Sequence, residues 1–293
     1  MEKLSLNSYA KLNLYLEVIN KRKDNYHNIS TVFERISLCD KITLSLRRDK
    51  QIKIISRSRD IPKDKTNLAF ESAKLLLDSL GIKRGVTIKI EKNIPVGSGM
   101  GGGSSNAASV LLGLNRLLHL RLSQNQLVCL AKKVGSDVPF FIYETPFARG
   151  EAKGDCIEPL KSLSRLKLWH VLVVPKIKVS TPLIYKNWDK FSKNLGLTSP
   201  GHDVKMLTSA LRKKHLGMIG VSLFNNLEPI TARIYPEVAV IKSKFSLLGL
   251  EFNLMSGSGP TIMALASSRK QAFSIYRQLV KNKQWRVFRV KTL

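Results

Sequence analysis

Between Ile94 and Ala108 the chain reads Ile-Pro-Val-Gly-Ser-Gly-Met-Gly-Gly-Gly-Ser-Ser-Asn-Ala-Ala. Few sequences leave so little choice in what can be built around them. An apolar, β-branched run (Val86, Ile88, Ile90) feeds this segment, and helical periodicity follows it from Ser105 through Leu118. Glycines without a Cβ let the backbone bend tightly and bring its N–H groups close to a ligand. Where such a loop opens into a helix, those N–H groups and the helix dipole form an anion site, most often for phosphate. Ser104 and Ser105 add hydroxyls where a phosphate or a metal ion would sit.

Other glycine loops fit less well. Gly97-x-Gly99-x-x-Gly102 satisfies the dinucleotide fingerprint in form. That fingerprint also wants an acid about 20 residues on to hold a ribose, and His119 to Asn125 contains none. A P-loop needs Lys before its final Ser or Thr, whereas Gly103 precedes Ser104. The HRD and DFG partners of the protein-kinase loop do not occur. A flexible Gly/Ser linker is disfavoured, because an apolar strand and an apolar helix abut the loop directly.

The chain has 293 residues, of which 43% are apolar, enough for real cores and against disorder. No run approaches a membrane span or a signal-peptide core. Cys39, Cys129 and Cys156 are widely spaced and odd in number, as in a reduced, cytosolic protein. The histidines show no metal-ligand spacing. The formal net charge of +28 favours polyanionic partners or phosphorylated ligands. Basic residues concentrate in Arg269, Lys270, Arg277, Lys281, Lys283, Arg286, Arg289 and Lys291, with no acid among them. Elsewhere they are scattered, and no RNA- or DNA-binding motif accompanies them, which argues against nucleic acid as the main partner.

Periodicity predicts a strand over 3–18, with Lys11 and Asn13 on the face opposite the leucines, then a polar loop over 20–28. Strands are expected at 32–36, 41–46, 52–56 and 86–90. Thr66-Asn67 is expected to cap a helix running to about Leu80 and stopped by Gly81, with further helices at 104–119 and 124–134. Gly135-Ser136-Asp137-Val138-Pro139 reads as a turn. Near residue 150 the pattern restarts with a strand at 168–174, helices at 182–190 and 204–216, and a loop over 192–202. A helix at 236–248, strand–turn–strand over 253–265, a basic helix at 269–281 and a strand at 285–290 complete it. Two α+β domains, 1–150 and 151–293, are expected, with the site between them.

Three pieces coincide: the glycine loop, an early Ser-x-Ala-Lys-x-Asn strand (Ser8, Ala10, Lys11, Asn13), and Gly-Ser-Asp-Val-Pro carrying Asp137 and Pro139. Together they resemble the GHMP family of small-molecule kinases. The likeness is tightest to the branch acting on a cytidine-diphosphate methylerythritol in non-mevalonate isoprenoid synthesis. It runs almost end to end through AKLNLYL, DNYHNISTVF, GSDVPFF, STPLIY, FNNLEP and LMSGSGPTIMAL. The glycine loop alone would equally suit a galactokinase, homoserine kinase or mevalonate kinase.

The resemblance implies a two-domain α+β fold. An N-terminal ATP-binding domain with a left-handed βαβ-type core would join a C-terminal α/β sandwich domain, with the active site in the cleft between them. ATP would be the phosphoryl donor, its phosphates wrapped by Pro95, Val96, Gly97, Ser98, Gly99, Met100, Gly101, Gly102, Gly103, Ser104, Ser105 and Asn106. Asn67 and Lys92 would lie near the adenine. Mg²⁺ would ride mainly on the ATP phosphates, touching Ser104 or Ser105; no carboxylate is assigned to it. Asp137 would take the proton of the attacking hydroxyl, with Lys11 beside it and the transferring phosphate. Read alone, Asp137 ahead of Pro139 suits a helix cap equally well. Asn13, Gly257, Ser258 and Gly259 would contact the substrate's polyol or diphosphate. Tyr26, His27 and Tyr185 would clamp the cytosine, the rings stacking and the imidazole reading the base edge. Residues 147–155 (FARGEAKGD) are more charged than the family segment, and their contacts stay open. The rivals are another GHMP kinase, or a basic nucleic-acid-binding protein on a kinase-like fold. Monomer and weak dimer are both compatible with the sequence.

Overall fold

A computed structural model describes residues 2–192 and 203–293. The expected loop over 192–202 therefore lies, from residue 193 on, outside the described residues. Two sheets organise them. The first contains β1 (Lys3–Lys21), β2 (His27–Arg47), β3 (Ile52–Ile55), β4 (Gly85–Glu91), β5 (Phe147–Glu151), β6 (Cys156–Pro159) and the short β8 (Phe224–Asn225). Its main order is β3-β4-β2-β1-β8, with β5 on β2 and β6 on β5. The second contains β7 (Trp169–Pro175), β9 (Asn253–Met255), β10 (Ile262–Ala266) and β11 (Trp285–Lys291), in the antiparallel order β11-β7-β10-β9.

Helices α1 (Leu68–Ser79), α2 (Gly102–Leu117), α3 (Gln124–Val134) and α4 (Val138–Ile142) cover one face of the first sheet. A middle core joins the first sheet to the second through Leu12 and Leu14 of β1, Leu172 of β7, and helices α6 (Val204–Lys213) and α7 (Leu216–Val221). A third core lies between the second sheet and α5 (Thr181–Phe191), α8 (Glu228–Ile234), α9 (Glu237–Leu247) and α10 (Arg269–Leu279). The α+β class and the two sheets agree with the sequence reading. The division expected at 150/151 falls inside β5, whose strand and the following β6 belong to the first sheet.

The longest strands differ from the pattern reading for a local reason. Residues 32–36 and 41–46 are one continuous strand, β2. The charged Asp40 between the two runs hides this, because a fully buried carboxylate reads in the sequence as a break. Its carboxylate accepts from the N–H groups of Asn93 and Ile94 at 2.7 and 2.9 Å, from Lys92 Nζ at 2.6 Å and from Asn106 Nδ2 at 2.9 Å. A buried charge this fully hydrogen-bonded keeps a strand continuous. It also fixes where the glycine segment leaves β4.

β1 is interrupted by register shifts between Tyr9 and Lys11 and between Asn13 and Tyr15. Strict alternation would place Ser8 and Lys11 on opposite faces. The first bulge brings both toward the start of α2. Ser8 Oγ donates to Ser105 Oγ at 2.8 Å, and the Lys11 backbone N–H donates to Met100 O at 3.0 Å. Beyond the site, Glu34 of β2 seals the two sheets. Its carboxylate accepts from Thr292 Oγ1 at 2.5 Å and lies 2.8 Å from His170 Nε2, all three residues fully buried.

Asp40→Ala would leave the Lys92 ammonium, whose side chain is 7% exposed, without its counter-charge. Removing one partner of a buried pair costs about 3–5 kcal/mol. Urea unfolding of Asp40→Ala is expected to show a loss of that order; a loss of a few tenths would mean the cluster does not anchor the strand.

Candidate active site

The glycine segment is held from both sides. Gly97, Gly99 and Gly101 all have positive φ, the region that favours residues without a Cβ. At Gly99 a Cβ would stand 2.4 Å from Ser256 O and 2.9 Å from Gly259 O. The loop thus lies directly on the second glycine turn, Ser256–Gly259, between β9 and β10. Ser256 Oγ donates to Gly99 O at 3.2 Å, and Thr261 Oγ1 donates to Ser98 O at 2.6 Å. Asn225 of β8 braces the turn by donating to Met255 O and Gly257 O, both at 2.7 Å. The first N–H groups of α2 have no intrahelical partner, and they open on a cleft of about 530 Å³ between the loop, the β1–β2 hairpin and α5.

Lys11, Asn13 and Asp137 meet in this cleft. Lys11 Nζ donates to Asn13 Oδ1 at 2.5 Å and lies 3.5 Å from Asp137 Oδ2. Asn13 is fixed in turn: its Nδ2 donates to Thr31 Oγ1 at 2.8 Å, and its backbone N–H donates to Ser256 Oγ at 3.2 Å. Lys11 and Asn13 are buried, while the Asp137 side chain is 36% exposed. Asp137 occupies the position before α4, yet its side chain makes no capping hydrogen bond. Pro139 in the first turn needs no N–H partner, so the carboxylate is not used by the helix. It is aimed at the cleft beside a cation.

The far end of the cleft is aromatic. The hairpin tip carries Tyr26, 55% exposed, and His27, buried. Tyr185 of α5 faces His27 with ring centroids 4.8 Å apart, and Trp188 meets the same imidazole edge-on at 5.7 Å. Burial and the nearby Asp137 charge push the Tyr185 phenol well above its ordinary pKa. His27 Nε2 is 2.7 Å from Asp189 Oδ1. The charged segment left open in the sequence is the β5–β6 hairpin. It brings Lys153 into the cleft, its ammonium 4.8 Å from the Tyr26 ring centroid. Thr181 also lines the cleft and pairs with Ser258 at 2.7 Å. Lys153, Thr181, Thr31 and Asp189 were not legible as site residues. Thr31 and Thr181 lie inside the DNYHNISTVF and STPLIY stretches without a chemistry that singles them out, and Lys153 and Asp189 are brought to Tyr26 and His27 only by the fold.

Several residues expected at the nucleotide have side chains engaged within the protein. Asn67 is the N-cap of α1: Oδ1 accepts from Ala69 N at 2.9 Å and Nδ2 donates to Pro62 O at 2.7 Å. Lys92 is turned to Asp40 and to Ile94 O, the latter at 2.7 Å, and burial pushes its ammonium pKa down against the pull of Asp40. Asn106 donates to Ser8 and Asp40. Ser98 Oγ donates to Pro95 O at 2.7 Å, and Met100 is buried in the middle core. Ser105 is taken up by Ser8, whereas Ser104 reaches the cleft, as do Gly257 and Ser258. Gly259 supports the turn from below, where a Cβ would meet Met255 Sδ at 2.7 Å. Val96 is 51% exposed on the outer side of the loop.

Comparison with known proteins gives a consistent result. The family models described as GHMP kinases N terminal domain and GHMP kinases C terminal match residues 67–145 and 207–284. A 4-diphosphocytidyl-2-C-methyl-D-erythritol kinase of Geobacillus sp. (strain WCH70) is 40% identical over 280 residues, covering 94% of this chain and 93% of its own. A protein of the same name from Geobacter sp. (strain M21) is 36% identical over 293 residues, covering 100% of both. A crystal structure of 4-(cytidine 5'-diphospho)-2C-methyl-D-erythritol kinase matches with a TM-score of 0.81 at 31% identity, covering 98% of each chain.

The two glycine turns supply a controlled comparison. A Cβ at Gly97 meets nothing within 4 Å, so Gly97→Ala is expected to cost only the left-handed backbone penalty, about 1–2 kcal/mol. Gly99→Ala adds a collision with the facing turn and should cost about 1–3 kcal/mol more. Equal losses in urea unfolding would show that the turns do not pack this closely.

Proposed function

Because the chain belongs to the 4-diphosphocytidyl-2-C-methyl-D-erythritol kinase family, a branch of the GHMP kinases, we propose that it transfers the γ-phosphoryl group of ATP to the 2-hydroxyl of 4-diphosphocytidyl-2-C-methyl-D-erythritol. The observation that carries this reading is the uncapped Asp137 carboxylate beside Lys11, midway between an anion-binding loop and an aromatic clamp.

Each part has a physical task. The free N–H groups at the start of α2 receive the ATP phosphates. Asp137 accepts the proton of the 2-hydroxyl. That oxygen forms the new bond to the γ-phosphorus as the bond to the β-phosphate oxygen breaks and ADP leaves. Lys11, 3.5 Å from Asp137, offsets the charge on the transferring group. Asn13 holds the Lys11 ammonium in place, and Ser258 with Gly257 closes on the diphosphate. Tyr185 and Tyr26 stack on the cytosine and His27 reads its edge, while Lys153 adds a cation beside the Tyr26 ring at that end of the cleft. Among the described residues no cluster of three or more His, Cys, Asp or Glu side chains could hold a metal ion. The donor set, a Ser104 hydroxyl facing the phosphate loop, suits Mg²⁺ held mainly by ATP oxygens. When bound, Mg²⁺ neutralises phosphate charge. Among the described residues no helix is long and apolar enough to cross a membrane. Its substrates are dissolved metabolites, and we assign the enzyme to the cytoplasm.

ADP release by the purified protein with ATP should depend on the cytidylylated methylerythritol and not occur with homoserine or mevalonate. Turnover with either of those instead would replace this substrate assignment with another of the same fold. Asp137→Asn keeps the shape but cannot accept the proton, so kcat should fall on the order of 10²-fold or more, with ATP binding retained. Lys11→Met should lower kcat comparably. If Asp137→Asn kept most of its rate, Asp137 would not be the base; if Lys11→Met changed only KM, Lys11 would be a binding residue.

A further inference from the structure

The hydrogen-bond partners of His27 lead beyond the clamp itself. The imidazole is enclosed by the Tyr185 and Trp188 rings, which limits how it can turn. Its Nε2 lies 2.7 Å from Asp189 Oδ1. The second oxygen, Oδ2, accepts from Lys21 Nζ at 2.9 Å. Desolvation would raise the Asp189 pKa, but the hydrogen bonds from His27 and Lys21 outweigh it and hold the carboxyl below its ordinary value. An ionised carboxylate only accepts, so Nε2 carries the hydrogen. In the neutral ring that leaves Nδ1 with a lone pair and one role, acceptor.

We propose that Asp189, oriented by Lys21, is the specificity-determining positioning residue of the nucleobase site: by fixing His27 as the Nε2–H tautomer it presents Nδ1 as an acceptor for the exocyclic amine of cytosine. This rests on the reading of the cleft as a cytidine-diphosphate site. Cytosine offers an N4–H₂ donor where uracil offers the O4 acceptor, so an acceptor at that edge takes cytosine and repels uracil. The stacking rings cannot make this distinction, because every base has a π-face.

The Lys21 contact makes the idea testable. In Asp189→Asn the ammonium of Lys21 requires the amide oxygen, which turns the NH₂ group toward His27. Nε2 must then accept, the hydrogen moves to Nδ1, and the imidazole presents a donor. Adding Lys21→Met frees the amide to rotate, and its oxygen can take the Nε2 hydrogen again. The experiment is calorimetric binding of cytidine 5'-diphosphate and uridine 5'-diphosphate to wild type, Asp189→Asn and the double variant. Nitrogen-15 NMR of the histidine rings accompanies it, with His27 assigned by its loss in His27→Gln.

We expect wild type to prefer cytidine diphosphate and its His27 to be protonated at Nε2. Asp189→Asn should lose at least about ten-fold of that preference, and the double variant should regain part of it. A residue that only packed the helix would lower both affinities together and show no recovery. Wild-type preference that survives Asp189→Asn, or a wild-type His27 carrying a hydrogen on Nδ1, whether alone or together with Nε2, would overturn the inference while leaving the cytidine site standing. Equal wild-type binding of the two diphosphates would remove the cytidine reading, and this inference with it.

Discussion

The contact on which the site depends is the seating of one glycine turn on another. The loop after β4 and the turn between β9 and β10 belong to different sheets, yet Gly99 lies against Ser256 and Gly259 with no room for a Cβ. Hydrogen bonds from Ser256 and Thr261 to the carbonyls of Gly99 and Ser98 close the junction. Glycine is required here by the approach of two backbones as well as by positive φ. Because the first N–H groups of α2 leave from this junction, their aim is set by both sheets at once. The same Ser256 hydroxyl accepts from the Asn13 backbone and so carries the constraint into β1.

β1 carries that rigidity into the cleft. Its leucines fill the core shared by the two sheets, and its bulges turn Ser8, Lys11 and Asn13 toward α2 and the cleft. A lysine in such a place needs partners, and it has Asn13 and Asp137. The pair is asymmetric: Lys11 is buried and fixed, whereas Asp137 remains partly open to the cleft. That is the arrangement a proton acceptor needs if a substrate hydroxyl is to reach it. Asp40 plays the opposite part, wholly consumed by four donors and therefore structural.

Much of this was legible in the sequence. The glycine loop announced itself because strand, turn and helix signals adjoin without a gap, and the α+β class followed from the alternation of periods. The resemblance pointed to Lys11, Asp137, His27 and Tyr185, and the structure gathers them around one cleft. What stayed hidden has physical causes. Bulges in β1 break the simple alternation on which facing is argued. The FARGEAKGD segment carries too much charge to read as a hairpin, so Lys153 went unnamed. The helix-cap signal at Asn67 was legible and is realised, but proximity in sequence to the glycine loop says nothing about side-chain direction, which is why Lys92 and Asn106 are found holding Asp40. Asp189 is 162 residues from its partner His27 and belongs to no motif.

The central claim is that one cleft holds cytosine at its aromatic end and presents the acceptor hydroxyl to Asp137 at the other. A crystal structure with 4-diphosphocytidyl-2-C-methyl-D-erythritol and a non-hydrolysable ATP analogue measures this directly. The account predicts the 2-hydroxyl within hydrogen-bond reach of the Asp137 carboxylate, about 2.6–3.2 Å, with the γ-phosphate on the opposite side of that oxygen and the base against Tyr185. A substrate bound with its base away from Tyr185, or with its 2-hydroxyl out of reach of Asp137 while another group contacts it, would contradict the account.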